Sequence, residues 1–222
     1  MKTINYIEAS LISSIVEVIF THPLDYVKTL IQKDTKINLN GSSLMNIKKL
    51  YTGINSKLIG TIPMRFLFWN SLEYFNNNNY NKISAGILTS IFQTSIDFPI
   101  EVIKIQKINN NICWINSFKN IKIFPSLSIH LIRNTIFSIG VNVTIGEDKN
   151  SLYKAGLGAA IGSVISHPFD TLKTWYQSGE QYFPRKWTLK NYYRGVQYRT
   201  SISFISINIG WILYRRLKEN IL

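Results

Sequence analysis

The sequence predicts an all-α membrane protein of six transmembrane helices, arranged as three pseudo-symmetric two-helix repeats. Apolar residues occur in blocks, while asparagine, lysine and tyrosine lie between the blocks, as in membrane proteins with basic loops. Six segments approach the roughly 20 apolar residues that a spanning helix needs. A proline, acid and lysine pattern recurs in the first, third and fifth segments. Such internal repetition indicates that one structural unit is used three times.

The six segments lie near residues 6–32, 56–76, 81–107, 126–146, 151–177 and 197–217. The first is interrupted by one acid, Glu17. The fifth carries Gly158 and Gly162, where the backbone of a neighbouring helix could approach closely. The chain 1–222 then forms one domain, with repeats of approximately 1–76, 77–148 and 149–222.

Each repeat also has a short amphipathic patch between its two long segments. The patches are residues 44–50, 114–121 and 187–193. They predict three short helices that connect the members of each pair.

The composition of the chain limits the classes of function that the protein can have. The net charge of +13 and the pI near 9.8 would suggest nucleic acid in a soluble protein, but the lysines and arginines fall between the apolar blocks. The single cysteine, Cys113, excludes a disulfide framework within the chain. No glycine-rich phosphate loop or paired metal-ligand spacing is present, and three scattered histidines do not make a site. The sequence therefore predicts no enzyme, no metal and no cofactor.

The repeated pattern is Pro-x-[Asp/Glu]-x-x-Lys. Its prolines are Pro23, Pro99 and Pro168, and its charged pairs are Asp25 and Lys28, Glu101 and Lys104, and Asp170 and Lys173. A proline inside a spanning helix removes a backbone hydrogen bond and kinks the helix. An acid and a lysine three residues apart lie on one helix face, so three such faces could meet around an axis.

This triple pattern resembles the signature of the mitochondrial carrier family of solute transporters. The resemblance covers almost the whole chain and extends to short, divergent carriers of the kind that large DNA viruses encode. It implies a matrix gate of three ion pairs, Asp25 with Lys104, Glu101 with Lys173 and Asp170 with Lys28. It also implies that Gln32 and Gln177 brace this gate and that the short connecting helices lie on the matrix surface.

The second gate of the family, on the cytoplasmic side, is mostly missing from this sequence. Of its expected residues only Glu73 remains as an acid, and Lys149 is its expected partner. This predicts a weak cytoplasmic gate and a resting preference for the state open to the intermembrane space.

The resemblance places substrate contacts midway along the even-numbered helices. The implied contacts are Gly60, Arg133, Asn134 and Ile202, with Lys57, His130 and Arg199 one turn toward the matrix. Arginine can bind a carboxylate or a phosphate through two parallel hydrogen bonds, so the substrate is expected to be a small anion. The substrate class stays open between carboxylic or keto acids and nucleotides. A nucleotide remains an option because a glycine at position 60 would leave room for its base.

Two further acids lie within predicted spans. Glu17 and Asp97 either neutralise a neighbouring cation or couple transport to a proton. His130 either adds positive charge to the cavity or only forms a hydrogen bond.

The implied protein is a monomeric antiporter that works by alternating access in the mitochondrial inner membrane. Both termini would face the intermembrane space, and membrane lipids, cardiolipin among them, would be its other partners. Two alternatives stay open. One is a non-transporting, carrier-like membrane adaptor, and the other is a basic nucleic-acid-binding protein.

Overall fold

The computed structural model describes residues 6–32, 50–51, 54–110, 118, 121–145, 153–178, 188–193 and 195–219. Several predicted site residues fall outside this part of the chain. They are the whole of Lys149 and the side chains of Asp25, Lys28, Gln32, Lys57 and Lys104. The predicted ion pairs and braces that involve them therefore stay predictions.

Six long helices make up most of the described chain. They are α1 (Tyr6–Gln32), α2 (Ile54–Asn77), α3 (Lys82–Asn110), α4 (Ile123–Thr144), α5 (Lys154–Ser178) and α6 (Val196–Glu219). The prediction of an all-α protein with six long helices is confirmed, with bounds no more than three residues from those predicted. A helical turn at Leu189–Tyr192 lies in the third connecting patch, while the other two patches lie mainly outside the described residues.

Local sequence explains where two of the helices begin. Asn79 has a φ of 59° in the turn between α2 and α3, a left-handed conformation that asparagine tolerates. Asn81 then precedes α3, and its Oδ1 accepts a hydrogen bond from the backbone N–H of Ile83 at 3.2 Å, as an N-cap does. Gly195 has a φ of 82° directly before α6, which explains the glycine there.

The helices form a closed ring. Each packs against its neighbours in sequence, and α6 closes the ring against α1. The helices that carry Pro23, Pro99 and Pro168 (α1, α3 and α5) alternate with the other three, and each proline lies inside its helix. We call the end of the ring near the charged signature residues the signature end. There α3 and α5 also contact each other.

The ring is polar inside and apolar outside. Among the described residues, polar and charged side chains outnumber apolar ones in the buried set. The exposed apolar side chains recur at helical spacing on the outer faces of α1, α3 and α5. They include Ile12, Ile15 and Ile19, then Ile83, Ile87 and Ile91, and then Leu157, Ile161 and Val164. This distribution is the reverse of a water-soluble helical bundle, in which the apolar stripe faces the core.

The individual helices of the described chain fall short of the hydropathy of a membrane span. Within the described ranges, no helix is long and apolar enough to cross a membrane.

The end opposite the signature carries a cluster of aromatic side chains, most of them from α2 and α6. The rings of Trp69 and Trp211 have centroids 5.6 Å apart, and those of Trp69 and Tyr214 are 6.0 Å apart and stacked. Phe68 packs edge-on against Trp69 at 4.9 Å and also approaches Phe137 of α4. This aromatic cluster therefore joins three helices.

Glycines bring α4 and α5 into backbone contact. A Cβ added to Gly140 would lie 2.7 Å from the carbonyl oxygen of Gly158, and one added to Gly162 would lie 3.2 Å from the Cα of Phe137. A Cβ on Gly158 would come closer still to Gly140 and Thr144. The prediction of close helix packing at Gly158 and Gly162 is confirmed by these distances.

We expect Gly158→Ala to destabilise the protein, because the added methyl group meets the backbone of Gly140 and the side chain of Thr144 on α4 and forces the two helices apart. Overpacking of this kind costs about 1–3 kcal/mol, so the unfolding temperature in detergent should fall by several degrees. Leu157→Ile, on the adjacent outward face, is the matched control and should leave it unchanged. An unchanged unfolding temperature for Gly158→Ala would contradict the contact.

Candidate functional site

The candidate site lies at the signature end, where the second halves of α3 and α5 meet the first halves of α4 and α6. The side chains that define it are Asp97 and Glu101 of α3, His130, Arg133 and Asn134 of α4, Asp170 and Lys173 of α5, and Arg199 of α6. All are buried or half-buried. The ring of helices therefore brings charged groups from four segments into one cluster.

One predicted gate pair lies wholly within the described side chains, and the structure brings its two residues together. Lys173 donates a hydrogen bond to Glu101 Oε2 and forms an ion pair with it. The lysine side chain is only 3% exposed. Because a charge buried so deeply is costly without a partner, this pair holds α3 against α5 at the signature end.

Asp170 contacts the two predicted substrate-binding arginines. Its Oδ1 lies 3.1 Å from Nε of Arg133, and its Oδ2 lies 3.5 Å from Nη1 of Arg199. Lys173 is 3.6 Å from Oδ1. Arg199 also donates a hydrogen bond to Ser166 Oγ at 2.9 Å. The signature acid of α5 therefore links the predicted gate to the predicted substrate contacts, which the sequence had treated as separate.

Asp97 lies at the centre of a second set of contacts on α3 and α4. Its Oδ2 is 2.9 Å from His130 Nε2 and 3.5 Å from Arg133 Nη1. Arg133 donates a hydrogen bond from Nη1 to Asn134 Oδ1 at 2.9 Å, and Asn134 donates to Thr94 Oγ1 at 2.9 Å. Asp97 therefore neutralises a neighbouring cation, one of the two roles expected for it.

Two acids of this site and His130 lie close enough together to be considered as ligands of a metal ion. Ligand atoms of Asp97, Glu101 and His130 lie within 4.8 Å of one another. However, Arg133 and Lys173 already supply positive charge to these carboxylates, and a cation would have to displace them. We therefore assign no metal to this cluster.

The glycine at position 60 packs closely against α3. Gly60 was expected to leave room for a bulky group, but a Cβ placed there would lie 3.0 Å from Cγ2 of Ile100. A side chain of α3 therefore borders this glycine. The other expected contact, Ile202, is half-buried on α6, and Gln177 is fully buried on α5.

Sequence reasoning missed a charged cluster that joins α1, α2 and α6. Arg65 donates a hydrogen bond from Nε to Glu17 Oε1 at 2.8 Å and another from Nη2 to Ser206 Oγ at 2.8 Å. Ser206 in turn donates to Glu17 Oε1. Glu17 therefore neutralises a cation, as expected, but the partner had not been identified. The available signal was a bare arginine in an apolar segment, the same signal that singled out Arg133.

At the opposite end, Glu73 accepts a hydrogen bond from the hydroxyl of Tyr214, across α2 and α6. Asn76 and Asn142 exchange amide hydrogen bonds of 2.8 and 3.2 Å between α2 and α4. These hydrogen bonds and the aromatic cluster connect the helices at the place where the sequence retains only one acid. The predicted partner of Glu73 lies outside the described residues.

Comparison with known families gives one match. The sequence model of the family described as mitochondrial carrier protein matches residues 1–82, a range that covers the first predicted repeat.

Two curated relatives extend the similarity along the chain. A protein of Schizosaccharomyces pombe named "Probable mitochondrial 2-oxodicarboxylate carrier" is 24% identical over 221 residues, covering 77% of this chain and 72% of the relative. A Dictyostelium discoideum protein named "Mitochondrial substrate carrier family protein X" is 26% identical over 198 residues, covering 68% of this chain and 65% of the relative.

Proposed function

We propose that the chain is a member of the mitochondrial carrier family, whose members are transporters and not enzymes, and that it carries a small carboxylate across the mitochondrial inner membrane. The match of the family model to residues 1–82 and the similarity to two proteins named as carriers support this. Transport of a small metabolite and a mitochondrial location follow from the family. The choice of a carboxylate is argued from the site.

The observation that carries the proposal is the environment of Arg133. Its guanidinium already has carboxylate oxygens of Asp97 and Asp170 at 3.5 and 3.1 Å, so it lies where carboxylates bind. A substrate carboxylate could take the place of Asp170 and bind the planar guanidinium through two parallel hydrogen bonds. Asn134, bonded to the same guanidinium, helps to orient it.

Two further observations favour a 2-oxo acid or dicarboxylate over a nucleotide. Ile100 borders Gly60, with its Cγ2 3.0 Å from a Cβ placed there, which reduces the room for a base on this wall. The Schizosaccharomyces pombe relative is named as a probable 2-oxodicarboxylate carrier. Arg199, 3.5 Å from the same Asp170, is available for a second carboxylate.

The same cluster suggests how binding opens the signature end. Asp170 is held by Arg133 and Arg199, and both are proposed substrate ligands. A substrate that takes these arginines removes two partners from Asp170 and so weakens the contacts among α4, α5 and α6. Because a ligand shifts a conformational equilibrium by its differential affinity, substrate binding would favour the state open to the matrix.

The membrane arrangement is part of the proposal. The six helices of 22–29 residues are about 33–44 Å long at 1.5 Å per residue, and their apolar outer faces would contact lipid. An even number of spans puts both termini on one side, the intermembrane space in this reading. The chain would act as a monomeric antiporter, with cardiolipin among the surrounding lipids.

The test is uptake of radiolabelled 2-oxoglutarate by liposomes that contain the purified protein. We expect saturable uptake that requires 2-oxoglutarate inside the liposomes, with little uptake of ADP. Uptake of ADP alone would replace the carboxylate by a nucleotide. No exchange of any small anion would favour the membrane adaptor, and extraction from membranes by alkaline carbonate would favour the nucleic-acid-binding alternative.

A further inference from the structure

We propose that Asp97 and His130 form a proton-binding pair that takes up one proton when the substrate binds and carries it across the membrane with the substrate. The inference rests on the proposed function, because it assigns a coupling ion to the same site. It makes the protein a proton-coupled carrier of carboxylates.

The pair is defined by one short contact in a buried place. His130 Nε2 lies 2.9 Å from Asp97 Oδ2, and the side chains are 0% and 7% exposed. Two acceptor atoms at this distance would repel each other, so a proton lies between them. The same Nε2 is 3.3 Å from Nη1 of Arg133, which can only donate. Since an imidazole nitrogen either donates or accepts, Arg133 and the shared proton compete for Nε2.

The imidazole has the capacity to take another proton. When Nε2 carries a hydrogen and donates it to Asp97, Nδ1 of a neutral ring is an acceptor. Nδ1 of His130 is buried and makes no hydrogen bond to any described residue. The pair can therefore change its charge by one without rearrangement of its shared hydrogen bond.

Substrate binding and protonation are linked through Arg133. With the site empty of substrate, the guanidinium lies 3.5 Å from Asp97 Oδ2 and compensates its charge. When a substrate carboxylate takes the guanidinium, Asp97 keeps the hydrogen bond from the neutral His130, and a proton from the cavity water that binds Nδ1 turns the imidazole into the cation that restores the balance of charge. On release of the substrate, Arg133 returns to Asp97 and the proton leaves to the same side. By linkage, each ligand then strengthens the binding of the other.

Other charged groups also face the pair, and they are already compensated. On α3, Glu101 Oε2 is 3.9 Å from His130 Nε2 but is paired with Lys173 of α5. Asp170, also on α5, keeps Arg199 of α6 and Lys173 when Arg133 leaves it. The side chain of Lys57, on α2, lies outside the described part of the chain. Among the described acids of this site, Asp97 therefore loses the largest share of its charge compensation when Arg133 binds the substrate.

The pair is present in one repeat only. Asp97 lies two residues before Pro99, and the residues two before Pro23 and Pro168 are Thr21 and Ser166. His130 corresponds by spacing to Lys57 and Arg199, which do not titrate as imidazole does. One site of this kind predicts one proton for each substrate.

The experiment is calorimetric titration of the purified full chain in detergent with 2-oxoglutarate at neutral pH. It is run in PIPES and again in Tris, whose protonation heats differ. The difference in binding heat between the buffers gives the number of protons taken up, and we expect about one per substrate bound. Binding with no proton uptake would overturn this inference and leave the proposed function standing. No binding of 2-oxoglutarate would overturn both.

Variants locate the proton. Asp97→Asn and His130→Gln should each bind 2-oxoglutarate with close to zero proton uptake. Glu17→Gln is the matched control, because Glu17 is a buried acid that also pairs with an arginine, Arg65, but lies outside the site. It should keep the wild-type proton number, and the exposed Glu8→Gln replaces it if it does not fold. Proton uptake that survives in Asp97→Asn and is lost in Glu17→Gln would refute the assignment.

Discussion

Lys173→Glu is expected to abolish transport. The side chain of Lys173 is almost completely buried and binds Glu101, with Asp170 3.6 Å away, so an acid in its place would face two carboxylates. Breaking a buried ion pair costs about 3 kcal/mol or more, which corresponds to at least about a 100-fold loss in the population of the closed signature end. Initial rates of 2-oxoglutarate exchange in liposomes measure the effect.

A charge swap separates a gate from a folding defect. Glu101→Lys combined with Lys173→Glu restores the pair across α3 and α5, and it should recover part of the exchange rate. Recovery would be incomplete because the new acid still faces Asp170. Lys154→Glu, on the exposed first turn of α5, is the control and should transport normally. If the double variant exchanges 2-oxoglutarate no faster than either single variant, the result would argue against a gating role for this ion pair.

Arg133→Met should lower the exchange rate by about 100-fold or more. Methionine keeps much of the volume but loses the guanidinium that would bind the substrate carboxylate, and a buried charge-assisted contact of this kind is worth about 3–5 kcal/mol. Arg133→Lys should also be strongly impaired, because a lysine cannot form two parallel hydrogen bonds. Arg216→Met, at an exposed position on α6, is the control.

The loss of Arg133 also removes a partner from Asp97 and Asp170, so stability has to be measured beside transport. We expect Arg133→Met to lower the unfolding temperature and a further Asp97→Asn change to restore part of it. Transport should stay lost in the double variant. Recovery of transport together with stability would show that Arg133 acts only by supporting the fold.

The sequence predicted the helices well because each is a local property. The apolar run around Glu17 and the proline signature that follows it predicted residues 6–32, and α1 has those bounds. Gly195, directly before α6, is another local feature, because its left-handed backbone favours a glycine. Such features depend on residues a few positions apart, so they can be read without the rest of the chain.

Contacts across the ring were harder to predict. Glu101 and Lys173 are in contact, as the family resemblance implied. Arg65 and Glu17 were not paired, since no repeat relates them and their contact depends on how α1 and α2 are rotated about their axes. The closeness of Asp170 to Arg133 was missed for the same reason. The packing of Ile100 against Gly60 likewise depends on helix rotation, which a sequence pattern does not fix.

The polar interior reverses the usual map of mutational tolerance. In a water-soluble protein, surface positions accept most substitutions, whereas here the outward positions such as Ile87 and Ile161 should accept any apolar residue but few charged ones. The strictest positions should be small hydroxyl residues inside the ring, such as Ser163, whose Oγ bonds Ser203 at 2.7 Å. In a random mutant library, harmful changes would therefore concentrate at serines and threonines, residues that most proteins replace freely.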